Sequence, residues 1–321
     1  MPTDIFVISL ALLFGLAAAI AAPVLFSRFV AAQAERAVPP LGVITSVDGA
    51  RLHWVERGEG QPLILVHGLG TQMRSLTFPL LDDLARDFHV LAIDRPGSGW
   101  SSRRDDGRVG LRADADTLAA FIRDRGLEQP LVVGHSLGGA VGLATAVHHP
   151  DLLGGLALVA PLTTLVEDPP GVFSALEVHS ALLRRLIAET VAVPATLLRE
   201  RTVLREIFAP EDVPETFAIE GGGVLARRPT AYVTASADLV AVPDHLPEVE
   251  AGYRELRLPV EILYGDDDRI LDPDVHGRPM ADRVPGATVR VVEGGHMLPF
   301  MQPGLVSEFV RNVARRLPEG E

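Results

Sequence analysis

The chain has 321 residues, a net charge of −13 at pH 7 and no cysteine. Because this acidic balance comes without a run of Lys or Arg, it argues against nucleic-acid binding and against a polybasic contact with anionic lipid. The lack of cysteine excludes disulfides, zinc thiolate sites and a cysteine nucleophile.

The first forty residues are predicted to form a membrane anchor followed by a linker. Residues 5–27 contain no charged side chain, and a helix of that length reaches roughly 35 Å, enough to cross a bilayer core of about 30 Å. Arg28 and Arg36 follow the apolar run. The positive-inside rule then predicts that the membrane-anchored catalytic domain lies in the cytoplasm.

A cleaved signal peptide is the alternative interpretation of this segment. Ala32-Gln33-Ala34 fits an A-x-A cleavage site, and cleavage there would give an exported protein. Against this alternative, residues 1–4 carry no Lys or Arg, and the apolar run is longer than that of a usual signal sequence. In the anchored form, residues 33–40 are expected to be a linker.

Residues 41–321 are predicted to fold as an α/β domain. A β-hairpin comes first, because Asp48-Gly49 is a two-residue turn signal between two strand-like runs. Short apolar runs then alternate with helical spacing, which favours a mostly parallel sheet covered on both faces. The predicted strands are 43–47, 51–56, 63–66, 89–93, 131–133, 155–159, 260–264 and 288–292, with helices at 76–86, 112–124 and 137–149.

One long stretch, residues 161–257, lacks any strand pattern. It has helical spacing at 173–186, 196–208 and 230–242, broken by prolines and by Gly221-Gly222-Gly223. We expect this stretch to be a helical insertion that lies over the sheet as a lid. Its content of Leu, Val, Ala and Phe favours an apolar acyl or alkyl group in the substrate.

Gly134-His135-Ser136-Leu137-Gly138 matches the G-x-S-x-G pattern of a nucleophilic serine. The pattern alone is weak evidence, but here it follows a predicted strand and opens a predicted helix, which is the context that the motif requires. Glycines are needed on both sides because the serine lies on a very tight, strained turn. The helix N-terminus also places partial positive charge beside Ser136, which favours an oxyanion.

With these residues the chain resembles the α/β-hydrolase family over about residues 42–317. The resemblance implies a mostly parallel central sheet flanked by helices, a Ser-Asp-His triad and no cofactor. Further motifs agree with it, each directly after a predicted strand and in the expected order: His67-Gly68-Leu69-Gly70, residues 94–101, residues 265–273 and Gly294-Gly295-His296.

The resemblance implies that His296 is the base that deprotonates Ser136. This histidine follows the last predicted strand, where the family places its base. Of the other histidines, His135 is expected to point away from Ser136, and His67 is expected to shape the oxyanion loop. The remaining seven are expected on the surface or in the lid: His53, His89, His148, His149, His179, His245 and His276.

Three adjacent aspartates compete to be the acid that orients the base. Similar relatives carry this acid in the register G-x-x-D-x-apolar-apolar-x-P, which selects Asp268 in this chain. Asp266 and Asp267 are then solvated loop carboxylates, and Asp94 is interpreted as part of a turn. The order Ser, Asp, His along the chain is the one expected of this fold.

The oxyanion hole of such an enzyme needs two backbone N–H donors. By the same resemblance they belong to Leu137, directly after the nucleophile, and to Leu69, in the loop after the first core strand.

The predicted function is hydrolysis of a small hydrophobic ester or acyl substrate through an acyl-enzyme, without cofactor, metal or nucleic acid. Three alternatives stay open: a cofactor-free haloperoxidase or perhydrolase, a carbon–carbon bond hydrolase with the same triad, and a non-catalytic ligand-binding member of the fold. Dehalogenases and epoxide hydrolases of similar appearance use an aspartate nucleophile, and Ser136 argues against both.

Overall fold

The computed structural model describes residues 2–104, 106–166 and 170–317. Its strands are β1 (Val43–Val47), β2 (Ala50–Arg57), β3 (Gln61–Val66), β4 (Phe88–Ile93), β5 (Leu131–His135), β6 (Gly155–Val159), β7 (Val260–Gly265) and β8 (Thr288–Val292). They form one sheet in the order β1-β2-β4-β3-β5-β6-β7-β8.

The sheet is mostly parallel, as the sequence predicts. Strands β1 and β2 form an antiparallel hairpin and β2 pairs antiparallel with β4, whereas all other neighbours are parallel. Every residue of β5 and β6 is buried, because parallel strands are covered on both faces. The loops that follow the parallel strands therefore meet at one edge of the sheet, the carboxyl edge.

Helices pack on both faces of this sheet. The helices are α1 (Pro2–Ala37), α2 (Arg74–Leu84), α3 (Leu111–Asp124), α4 (Leu137–His148), α5 (Ala181–Ile187), α6 (Val193–Phe208), α7 (Pro229–Ala251), α8 (Pro273–His276), α9 (Arg278–Ala281), α10 (Leu298–Met301) and α11 (Pro303–Ala314). Helices α3 and α4 bury Phe121 and Leu143 in the larger apolar cluster. Helices α2 and α11 bury Leu80 and Val310 in a second cluster on the opposite face.

The chain between β6 and β7, called the helical insertion below, contains α5, α6 and α7 and no strand among the described residues. A π-helical turn at Ala188–Ala192 joins α5 to α6. The stretch predicted as one helix at 173–186 is divided into a 3₁₀ turn at Gly171–Leu176 and helix α5. The division occurs because Ser180 caps α5, its hydroxyl accepting a hydrogen bond from the Leu183 N–H at 3.3 Å.

Helix α7 is longer than the sequence predicts. The predicted helix ends at residue 242, but α7 continues through Pro243 and Pro247. Each proline removes one helical hydrogen bond and crowds the preceding turn. Tertiary packing overrides this penalty, since Leu246 and Val249 are fully buried against the sheet domain.

The predicted linker at residues 33–40 is also wrong over most of its length, because α1 continues to Ala37. Ala34 and Val38 are buried against Val224 and Leu225 of the helical insertion. The end of α1 is thus packed on the insertion, and burial of these apolar side chains favours helix over a free linker.

The anchor predicted at residues 5–27 is described only in part. The backbone there is helical, but the side chains of most of residues 1–20 are not among those described. In the part that is described, no helix combines the length and the apolar character needed to cross a membrane.

Candidate active site

Ser136 lies at the turn between β5 and α4, on the carboxyl edge of the sheet. Its backbone has φ 55° and ψ −122°, a conformation that is strained for a residue with a side chain. The turn is tight because α4 starts against β3: a Cβ on Gly138 would lie 2.1 Å from the Val66 carbonyl oxygen. The strain holds Ser136 at the tip of the turn, half-buried.

Asp268 and His296 meet at the same edge, in the loops after β7 and β8. His296 Nδ1 lies 2.8 Å from Asp268 Oδ2, and both side chains are buried. Asp268 Oδ1 accepts hydrogen bonds from the N–H groups of Ile270 and Leu271, each at 2.9 Å. A carboxylate only accepts, so Nδ1 of His296 carries the proton and Nε2 keeps the basic lone pair.

The two neighbouring aspartates have other partners. Asp267 is at the surface and pairs with Arg269 at 2.9 Å. Asp266 is exposed, and its Oδ1 accepts a hydrogen bond from the Gly294 N–H at 3.1 Å. Of the three carboxylates, Asp268 alone is bonded to His296 among the described contacts.

His135 connects the serine turn to the histidine loop. Its Nε2 donates to the carbonyl oxygen of His296 at 3.0 Å, and the two rings lie 4.9 Å apart between centroids. The residue before Ser136 thus touches His296 directly. Within the described residues no hydrogen bond joins Ser136 Oγ to His296; catalytic contacts of this kind often tighten only when substrate is bound.

Burial keeps two other histidines of the site neutral. Burial lowers the pKa of His135 to about 3, and the adjoining His296 ring adds to this shift. Burial and the neighbouring Arg95 lower the pKa of His67 to about 4. Neither imidazole can therefore take up a proton near pH 7, in line with the structural roles predicted for both.

The backbone N–H groups of Leu69 and Leu137 are the two predicted oxyanion donors. Leu137 is the first residue of α4, where a helix has no internal partner for its N–H. Leu69 lies in the loop after β3, and a Cβ on the preceding Gly68 would be 3.0 Å from Ser136 Cβ. Neither N–H has a hydrogen-bond acceptor in the described residues.

A group of four charges, three of them buried and Arg103 partly buried, lies behind the loop after β3 and is called the Arg95 cluster. It consists of Arg95 and Arg103 with Asp114 of α3 and Asp238 of α7. Sequence reasoning missed this cluster, because its members are far apart and form no local motif. The one local signal is an arginine two residues after β4, a charged side chain that the structure shows to be 1% exposed.

Two histidines predicted at the surface or in the lid are instead buried. His53 and His276 are each 2% exposed. His53 Nδ1 lies 2.7 Å from Asp94 Oδ2, and the same carboxylate accepts the N–H groups of Met73 and Trp100 at 2.8 Å. Asp94 therefore ties loops together, which agrees with its predicted part in a turn.

A cavity of about 440 Å³ opens between this edge and the helical insertion. Its lining includes Leu69, a predicted oxyanion donor, and Met297, the residue after His296. Ser136 and His296 are not part of the lining. Most of the remaining wall is apolar and comes from the insertion, including Phe173, Val203, Ile207 and Phe217. Among the described residues no group of His, Asp and Glu is arranged to hold a metal ion.

Comparison with known proteins gives partial and nearly full-length matches. Over 117 residues the chain is 39% identical to the dihydrolipoyllysine-residue acetyltransferase component of the acetoin cleaving system of Cupriavidus necator, covering 36% of this chain but only 31% of that protein. It is 26% identical over 278 residues to a pimeloyl-[acyl-carrier protein] methyl ester esterase of Aliivibrio salmonicida, covering 84% and 97% of the two chains.

Structural comparison agrees on the fold. An alpha/beta hydrolase fold protein from Burkholderia ambifaria superposes with a TM-score of 0.72 at 22% identity, over 85% of this chain and 97% of that one. The family model described as alpha/beta hydrolase fold matches residues 61–303, well over half of the chain. The chain therefore belongs to the alpha/beta hydrolase fold family, as its sequence motifs imply.

Proposed function

We propose that the chain is a serine hydrolase that cleaves a hydrophobic carboxylic ester, with Ser136, Asp268 and His296 as its triad. The observation that carries the proposal is the buried 2.8 Å contact between His296 Nδ1 and Asp268 Oδ2. It lies at the same sheet edge as a serine on a strained turn. A carboxylate in this position fixes the histidine tautomer and stabilises the imidazolium, which is what activation of a serine requires.

The proposed reaction begins when His296 Nε2 accepts the Ser136 proton as Oγ attacks the ester carbonyl carbon. The resulting oxyanion accepts hydrogen bonds from the N–H groups of Leu69 and Leu137, a type of contact worth about 3–4 kcal/mol per donor. The carbon–oxygen bond to the alcohol then breaks, and His296 returns its proton to that alcohol. Water repeats the sequence on the acyl-enzyme, and Asp268 stabilises the imidazolium in both halves.

A hydrophobic substrate is favoured by the cavity under the helical insertion, which we propose acts as a lid. The apolar wall suits an acyl or alkyl chain, because burying such a chain releases about 0.8 kcal/mol for each CH₂ group. The ester itself is supported by the curated relative named as a methyl ester esterase, which aligns over most of both chains.

Kinetics on a Ser136→Ala variant test this proposal. With p-nitrophenyl esters of increasing acyl length, we expect kcat to fall by about 10⁴-fold or more, while the circular dichroism spectrum is unchanged. Ser102→Ala, at an exposed serine, is the matched control and should keep wild-type turnover. Hydrolysis by Ser136→Ala at more than about a hundredth of the wild-type rate would overturn the assignment. Repeating the assay with hydrogen peroxide separates hydrolysis from perhydrolysis.

We also propose, from the sequence alone, that residues 5–27 anchor the chain and leave the catalytic domain in the cytoplasm. The support is the absence of charge between Ile5 and Ser27, with Arg28 and Arg36 following. Mass measurement of the mature chain from membranes washed in carbonate should find residues 1–34 present. A chain that starts near residue 35, or one released by the wash, would contradict the anchor.

A further inference from the structure

The Arg95 cluster joins the helical insertion to the loop that carries Leu69. We propose that Asp238, on α7, is a positioning residue for the oxyanion hole and acts through Arg95 on the peptide unit between Gly68 and Leu69. The inference rests on the proposed function, since it assigns Asp238 a part in ester hydrolysis.

The carbonyl group of Gly68 is held by three donors. His67 Nδ1 lies 2.9 Å from this oxygen, Thr71 Oγ1 3.2 Å and Arg95 Nη2 3.2 Å. Arg95 also donates from Nε to the His67 carbonyl oxygen at 3.0 Å. Its own backbone N–H donates to His67 Nε2 at 3.0 Å, which leaves the His67 proton on Nδ1 for Gly68. Arg95 therefore controls this loop both directly and through His67.

The direction of this carbonyl sets the direction of the Leu69 N–H. The Gly68–Leu69 peptide bond is trans, so its C=O and its N–H point in opposite directions within one rigid plane. With the carbonyl turned toward Arg95, the Leu69 N–H is turned away from the cluster and has no acceptor in the described residues. A small rotation of this plane would misdirect the donor.

Asp238 supplies half of the charge that holds Arg95. Arg95 Nη1 lies 2.9 Å from Asp114 Oδ2 and 3.0 Å from Asp238 Oδ2, and Arg95 is 1% exposed. Without the Asp238 charge, the guanidinium is attracted to Asp114 alone and moves toward α3. Its 3.2 Å contact with the Gly68 oxygen is the longest of its hydrogen bonds and is the first to weaken.

Arg103 provides a matched control within the cluster. It pairs with Asp238 and lies 3.7 Å from Asp114, but no described hydrogen bond connects it to His67 or Gly68. Arg103→Gln therefore removes one charge of the cluster, at a partly buried side chain, without releasing the loop. If the cluster only stabilises the fold, Asp238→Asn and Arg103→Gln should affect activity alike. If it positions the oxyanion hole, Asp238→Asn should reduce activity and Arg103→Gln should not.

The test compares turnover with the binding of an alkyl trifluoromethyl ketone. Ser136 adds to this ketone and forms an adduct whose oxyanion occupies the oxyanion hole. For Asp238→Asn, normalised to the active sites that react with a fluorophosphonate, we expect kcat to fall about 10- to 100-fold. KM should change less than about threefold, and the inhibition constant of the ketone should rise by the same factor as kcat/KM falls.

Arg103→Gln should leave kcat/KM and the inhibition constant of the ketone within about threefold of wild type, even if its melting temperature falls. If Asp238→Asn does not fold, Thr71→Val is the second variant, because it removes another donor to the Gly68 oxygen. It should shift kcat/KM and the inhibition constant together, by a smaller factor. The inference is overturned if neither quantity moves in the folded variant, or if the two move independently. Failure of wild type to react with the fluorophosphonate would instead overturn the proposed function.

Discussion

Three buried imidazoles at the carboxyl edge differ in what their nitrogens contact. His135 donates to a backbone carbonyl at 3.0 Å, and His67 accepts a backbone N–H at 3.0 Å. Burial lowers the pKa of the first to about 3 and of the second to about 4. Of these three, only His296 has a carboxylate within hydrogen-bonding distance, which is the arrangement that the proposed triad requires.

Replacing Asp268 by asparagine tests this difference at a single residue. Asp268→Asn keeps the shape but offers an amide to His296, which favours the wrong tautomer, and we expect kcat to fall by about 10⁴-fold. The matched control is Asp267→Asn, one residue away, where the carboxylate pairs with Arg269 at the surface. Steady-state kinetics on p-nitrophenyl esters distinguish them. The register is wrong if Asp267→Asn carries the large loss instead.

Strands were more predictable than helices because their determinants are local. Each apolar run between Gly, Pro or Asp became a strand, and β6 and β8 have the predicted bounds. The length of α7 through Pro243 and the extension of α1 to Ala37 depend on burial against distant residues. Local propensity favours the end of a helix both at Pro243 and before Ala37. Tertiary packing outweighs this propensity, and both helices continue.

The contact of the helical insertion with the end of α1 and with Val38, the residue after it, can be tested by substitution. Val38 is fully buried in the cluster with Val224 and Leu225. Val38→Ala should lower the free energy of unfolding by about 1–2 kcal/mol and speed hydrogen exchange at residues 224 and 225. Val275→Ala, at a valine that is 39% exposed, should change stability by less than about 0.5 kcal/mol. Equal effects in urea titrations would show that α1 does not stabilise the insertion.

At the scale of the whole molecule, the strand order brings the loops of the proposed site together. Ser136 follows β5, Asp268 follows β7 and His296 follows β8, while the Leu69 loop follows the neighbouring β3. Parallel strands that lie about 4.8 Å apart bring these loops to one edge of the sheet, which is why motifs at strand ends lead to the proposed site. The Arg95 cluster was not predictable, because Asp114 and Asp238 come from helices whose docking no local pattern specifies.

Buried histidines also give the whole molecule a pH-dependent stability. Burial lowers the pKa of His67 and His276 to about 4 and of His135 to about 3, from 6.5. Between about pH 6 and pH 5 the unfolded chain binds protons that the native chain does not, so stability falls on acidification by about 1.4 kcal/mol per pH unit for each imidazole. Urea unfolding at pH 7, 6 and 5 should show this slope.

His276→Gln should reduce the pH dependence of the free energy of unfolding by the contribution of one imidazole, because glutamine does not titrate. His179→Gln, at an exposed histidine, is the control and should leave the slope unchanged. A slope in His276→Gln equal to that of the wild type would mean that burial does not keep this histidine neutral.

The most direct test of the account is the site of covalent attachment of a fluorophosphonate to the wild-type chain. Peptide mapping by mass spectrometry should find one adduct, on Ser136, and labelling should be slowed strongly by Asp268→Asn. An unlabelled chain, or an adduct on another residue of a chain that hydrolyses esters, would contradict the claim that Ser136 is the nucleophile.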